Sequence, residues 1–178
     1  MNNLKGTRAY LCGAMTFDSN QVVWREKIGK ILKGMGVMVL DPTNKPIDIG
    51  LEKMEDQYRR TRLKISRDYD TIAAEMKVIR CVDLRMVDIS DFIIVNVDIE
   101  KYTVGTWEEV SLGNRQKKPI IFRIEQGKQN TPDWLFGMVP HQMIFSTWKQ
   151  VIGYLSMIDD GSYTNTYKRW YLFNFNKE

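Results

Sequence analysis

Apolar and polar positions follow two rhythms along this chain. Nearly continuous apolar runs occur at 8–12 (RAYLC), 37–40 (VMVL), 92–97 (FIIVNV) and 119–122 (PIIF), with a shorter one at 142–145. Runs of this length predict strands buried on both faces. The first is stopped by Gly13, the second by Asp41-Pro42 and the third by Asp98. Between them the apolar residues take helical spacing. Val22, Val23, Ile28, Ile31 and Leu32 place one face of a helix over 20–35, ended by Gly34 and Gly36. Further helices are predicted over 71–87, 106–115 and 148–158. The alternation implies βαβ units. The predicted fold is therefore α/β, a flavodoxin- or Rossmann-like parallel sheet of about five strands with helices on both faces. Residues 1–178 read as one domain. The polar stretch 43–70 has helical character in its middle and reads as a helical elaboration. The aromatic tail, 161–178, has no place in this pattern.

Composition narrows the function classes. The 178 residues carry 26 basic and 22 acidic side chains, a net charge of +4 that is too mild to argue for nucleic-acid binding. No apolar run approaches the ~20 residues of a membrane helix. The N-terminal Met1-Asn2-Asn3-Leu4-Lys5-Gly6 lacks the apolar core of a secretory leader. Two cysteines, Cys12 and Cys81, fit a reduced, cytoplasmic chain. With a single histidine, His141, a zinc site is not expected. The tail residues Tyr163, Tyr167, Trp170, Tyr171, Phe173 and Phe175 are too apolar for a free terminus. They predict a homo-oligomer, with packing inside the chain as the alternative.

In parallel α/β folds, ligands sit beyond the carboxyl ends of the strands. The turns after Cys12, Val97 and Phe122 are therefore the ones to search. The turn after Val97 leads into Thr103-Val104-Gly105-Thr106-Trp107-Glu108-Glu109. Thr106 and Glu109 stand three apart at a helix start. They form either a capping box or, with Glu109 as a carboxylate at the mouth of the sheet, part of a catalytic site. Glu108 turns away toward solvent. On the 71–87 helix, Asp83 falls within the stripe formed by Ile72, Met76, Ile79 and Met86. A carboxylate on an apolar face is costly unless paired or set at a cavity. Asp83 is thus either a buried acceptor for backbone amides or Arg80, or a site residue. Tyr10 is an aromatic strand residue or a site residue, and Gly13 and Met15 lie on the turn that follows. Small residues there let a ligand approach the backbone. Cys12 lacks a histidine partner and is a poor nucleophile. Trp24-Arg25 reads as packing plus a surface ion pair. Arg59, Arg60, Arg62, Lys64 and Arg67 read as a solvated helix face, or else as a phosphate or nucleic-acid contact.

Taken in order, the motifs resemble a family. They are TyrLeuCysGlyAlaMet at 10–15, Trp24-Arg25, LeuAspPro at 40–42, Asp83-Leu84, SerAspPheIleIleValAsnVal at 90–97, ValGlyThrTrpGluGlu at 104–109 and LysProIleIle at 118–121. Together they resemble the nucleoside 2-deoxyribosyltransferase-like superfamily, which includes deoxyribosyltransferases and nucleotide N-glycoside hydrolases. The resemblance implies that Glu109 is the nucleophile, Asp83 the active-site aspartate and Tyr10 a support for the nucleophile. It places Gly13, Met15, Thr103, Gly105 and Thr106 around a nucleoside or nucleotide substrate, and it implies no cofactor. The acceptor of the sugar is a second base or water. A non-catalytic nucleotide-sequestering protein on the same scaffold is the alternative. Two departures stand out. Thr103 replaces the family's frequent acidic residue or serine, and Ala14-Met15-Thr16-Phe17 replaces the arginine and glycines that hold a 5′-phosphate in the hydrolases.

Overall fold

The apolar runs become the strands of one sheet. The computed structural model describes residues 2–15, 19–45, 47, 49–52 and 54–176, with the side chains of 19–22, 54, 167 and 174–176 outside the description. Strand β1 spans Arg8–Gly13, β2 Met38–Leu40, β3 Phe92–Val97, β4 Ile120–Ile124 and β5 Ile144–Phe145. All neighbours are parallel and the order is β2-β1-β3-β4-β5. This is the expected flavodoxin-like order, and it reverses direction between β1 and β3.

The helices are α1 (Ser19–Gly34), α2 (Met54–Ile65), α3 (Tyr69–Ile89), α4 (Val104–Arg115), α5 (Asp133–Met138) and α6 (Trp148–Asp160). The elaboration at 43–70 thus contains α2, whereas α5 carries no periodic signal long enough to predict it. Among the described residues, no helix is long and apolar enough to cross a membrane.

Each face of the sheet buries its own set of side chains. Leu11, Ile94 and Ile121 face Ile28 and Leu32 of α1 and Leu155 of α6. Tyr10, Cys12, Ile93 and Val95 face Met86 of α3 and Val110 of α4. Alternate residues of β1 therefore serve opposite faces, as strand geometry requires. Tyr10 and Cys12 share the α3/α4 face.

The aromatic tail folds back on its own domain. Trp170 is fully buried, its ring 5.2 Å from Phe92 and its Nε1 donating to Tyr154 Oη at 3.0 Å. Phe173 stacks on Trp170 at 5.4 Å. Within the described residues the tail thus finds partners inside the chain and no longer argues for an oligomer. The side chains of Tyr167 and Phe175 lie outside the described set.

The basic run sits on α2 and just beyond it, and much of its charge is met locally. Arg59 pairs with Glu75 of α3 and Asp56, and Arg60 with Glu52. This is the solvated-face arrangement.

Candidate active site

Helix α4 starts at Val104, two residues before the expected start, with Thr103 at its N-cap and no side-chain cap bond there. Thr106 is therefore inside the helix, and it is buried. The capping box is absent, because Glu109 turns inward to β1 instead of back to the helix start. Its carboxylate receives one donor on each oxygen. Tyr10 Oη donates to Oε1 at 2.9 Å and Cys12 Sγ donates to Oε2 at 2.9 Å. Both donors come from one face of β1, two residues apart. The tertiary bonds win because the carboxylate is largely removed from water and needs strong donors.

Burial pushes the Glu109 carboxyl up to about 7, with Cys12 and Tyr10 pulling it down and Asp83 pushing it further up. Near neutral pH the two forms of this carboxyl are therefore close in population. Tyr10 and Cys12 are both pushed well above their ordinary values, chiefly by burial and then by the Glu109 charge. They stay protonated and remain donors. Cys12, dismissed as a nucleophile, holds the second oxygen of Glu109. Its small size and strand position gave no sequence signal for that part.

Asp83 is buried on α3, as its apolar stripe predicted. Its partner is Lys45, at 2.7 Å. Arg80, offered beside backbone amides as a donor to Asp83 under the buried-acceptor reading, instead pairs with Glu108 on the surface, Nε to Oε2 at 2.8 Å. Burial raises the Asp83 carboxyl above its ordinary range, and Lys45 opposes the rise.

Arg25 departs from the surface ion pair expected of Trp24-Arg25. Its side chain is fully enclosed, and Nη2 donates to the Gly13 carbonyl at 2.9 Å while Nη1 donates to Ala14 at 3.3 Å. Nε lies 3.8 Å from Asp41. The guanidinium also lies over the Trp24 ring, which stacks on Trp148. The cause is topological: α1 returns across the end of β1 and brings Arg25 against the carbonyls of the turn that leaves the strand. Arg25 thereby shapes the turn that carries Met15. An open cavity of about 560 Å³ lies against it, lined by Met15, Arg25, Asp41, Asn44, Lys30 and Glu52.

Gly13 has a packing reason of its own. An added Cβ would lie 3.0 Å from the Asn96 carbonyl of β3 and 3.2 Å from the Trp24 ring. Backbone cannot yield there as a side-chain tip can. Gly13→Ala is expected to cost about 1–3 kcal/mol, read as a lower urea midpoint at unchanged slope. An unshifted midpoint would show that β1 and β3 tolerate separation at this point. Gly105 is the opposite case, exposed and with nothing within 4 Å of an added Cβ. Thr16 and Phe17, the rest of the turn after Met15, lie outside the described residues.

Tyr10 and Cys12 of β1 thus hold Glu109 beside β3, where the strand order reverses, with Asp83 near enough to act on the charges of all three. The profile of one family, nucleoside 2-deoxyribosyltransferase, matches residues 9–143. No curated protein sequence matches the chain. Solved structures share its fold. The 2-deoxyribosyltransferase of the psychrotolerant bacterium Bacillus psychrosaccharolyticus has a TM-score of 0.57 at 16% identity, covering 82% of this chain and 90% of that one. The CMP N-glycosidase of Clostridium botulinum has a TM-score of 0.50 at 18% identity, covering 85% and 99%. The 2-deoxyribosyltransferase of Leishmania mexicana has a TM-score of 0.50 at 14% identity, covering 83% and 95%. At these identities the likeness is one of fold, while the sequence match extends over most of the chain and over every residue of the Glu109 cluster. The chain belongs to the nucleoside 2-deoxyribosyltransferase family.

Proposed function

We propose that this protein breaks the N-glycosidic bond of a 2-deoxynucleoside or its nucleotide, with Glu109 as nucleophile, and passes the sugar to a second base or to water. The observation that carries this reading is the Glu109 carboxylate, held by one donor on each oxygen at the sheet's reversal point. Such a carboxylate suits an anomeric carbon, whose transition state has oxocarbenium character.

In the first step a Glu109 oxygen bonds to C1′ and the bond from C1′ to the base nitrogen breaks. The electron pair leaves with the base, which takes a proton. In the second step the acceptor's nitrogen or oxygen bonds to C1′, gives up a proton and releases the carboxylate. Asp83 is the candidate donor of the first proton and, as the carboxylate this leaves, the candidate acceptor of the second. Its burial favours the protonated form, and Lys45 limits how far. Tyr10 and Cys12 orient Glu109. Met15, Thr103, Gly105, Thr106 and the backbone at Gly13 border the place for the substrate. The chemistry proposed needs no cofactor.

The test is incubation with a panel of 2-deoxynucleosides and their 5′-phosphates, with and without a second free base, followed by chromatography. Free base appearing alone identifies water as acceptor. A new nucleoside appearing only with added base identifies transfer. Tight binding with no release of base from any substrate would overturn the reading in favour of a sequestering protein.

The pH profile has a defined sign. Glu109 attacks only as the carboxylate, so its titration should make kcat/KM rise about tenfold per pH unit below about 7, and the need for a protonated Asp83 should bring kcat/KM down again on the alkaline side. A profile flat from pH 5 to 8 would remove Glu109 from the attacking step.

A further inference from the structure

A fully enclosed lysine side chain is expensive unless its charge is met. Lys45, on the segment that follows β2, is such a residue. Its ammonium lies 2.7 Å from Asp83 Oδ1 on α3 and donates to the Gly50 carbonyl at 2.5 Å. One charged group therefore joins the chain just after Asn44, the same segment five residues on, and α3.

Gly50 is itself seated against α3. Its φ is +73°, and an added Cβ would lie 3.3 Å from Ile79 Cα. Two residues further, Glu52 reaches Arg60 of α2 at 2.5 Å. Thr43, Asn44 and Glu52 of this segment wall the cavity that has Met15 and Arg25 on its other side. Asp83, the group that Lys45 holds, acts on the charges of Glu109, Tyr10 and Cys12. The ion pair thus connects the wall of the cavity to the acidic pair at the reaction centre.

We propose that Lys45 is a positioning residue: its ammonium holds Asp83 in one orientation near Glu109 and ties the segment after β2 to α3, so that the segment walls the cavity beside Met15 and Arg25. This rests on the roles given above to Glu109 and Asp83. Asp83 is faced by Lys45 and Glu52 from the segment, by Arg25 from α1, by Tyr10 and Cys12 from β1 and by Glu109 from α4. Only Lys45 of these touches it at ion-pair distance among the described residues. Without Lys45 the Asp83 carboxyl should keep its proton to higher pH, since burial then acts with less opposition.

The experiment uses the full chain and the variants Lys45→Met, Lys45→Arg, Asp83→Asn and Lys45→Met/Asp83→Asn. Amide exchange, a carbon NMR titration of Asp83 and steady-state kinetics are the readouts. In Lys45→Met, amides at 49–52 should exchange roughly tenfold faster while β1 and β3 stay protected. The Asp83 midpoint should rise, because burial then acts with less opposition. The rate should fall by roughly 100-fold, and Lys45→Arg should restore most of each. The double variant leaves no buried charge unpaired, so it folds. It should be no slower than Asp83→Asn alone, because Lys45 acts through Asp83. Unchanged exchange and an unchanged Asp83 midpoint in Lys45→Met would overturn the proposal. So would an equal further loss on adding Lys45→Met to Asp83→Asn. If the wild type turns over no nucleoside while exchange and titration shift as expected, Lys45 keeps its positioning role and the proposed reaction fails.

Discussion

Glu109→Gln will fold, and its rate of base release will fall by roughly ten-thousand-fold. The amide fills the space of the carboxylate but forms no sugar ester and offers no negative charge to a cationic transition state. The stability effect has the opposite sign. The Glu109 carboxyl stands at about 7 against an unfolded value near 4.5, so its ionisation opposes folding. The stabilising contribution of the neutral form is complete below about pH 4.5 and is lost as pH rises through about 7. Glu109→Gln should therefore gain on wild type as pH rises, by at most about 3 kcal/mol at pH 8, and show little gain at pH 4. Urea melts at the two pH values measure this. A variant that loses stability equally at both would mean the Tyr10 and Cys12 bonds outweigh the cost of the buried charge. Glu108→Gln is the control. Glu108 points to the surface and pairs with Arg80, so its rate should match wild type.

Arg25→Met should be among the most destabilising single changes in the chain. Methionine matches the length of the stem, but it leaves the Gly13 and Ala14 carbonyls without their donor and Asp41 without its cation. Breaking one side of a buried charged network costs about 3–5 kcal/mol. In a chain of 178 residues that is roughly a 10 °C fall in Tm. Arg25→Lys should fall between the two, since one ammonium cannot serve two carbonyls and a carboxylate with the geometry of a fork. Calorimetry decides. A fall of less than about 3 °C for Arg25→Met would show that water replaces the guanidinium at the end of β1.

The parts of this molecule that were legible in the sequence are those governed by local periodicity. The run FIIVNV could only be a doubly buried strand, and it lies at the centre of the sheet. Asp83 stood out because it interrupts a helical stripe, and the structure buries it on that face. What escaped was decided by partners distant in sequence. Thr106 and Glu109 have the spacing of a cap. Tyr10 and Cys12, about a hundred residues earlier, compete for Glu109 and win. Lys45 sits in a polar stretch with no periodic signal, and only the approach of α3 makes it a buried partner of Asp83. Arg25 follows a tryptophan on an amphipathic helix, where arginines usually reach solvent. The carbonyls that hold it belong to the end of another element.

The central claim is a bond between Glu109 and the sugar. Rapid mixing of the protein with a reactive 2-deoxynucleoside, acid quenching and intact-mass analysis tests it directly. The account predicts a species heavier by one 2-deoxyribosyl group. Proteolysis should map the added group to the peptide containing Glu109, and Glu109→Gln should show none. Undiminished turnover by Glu109→Gln, or a sugar adduct mapped to another residue, would contradict it.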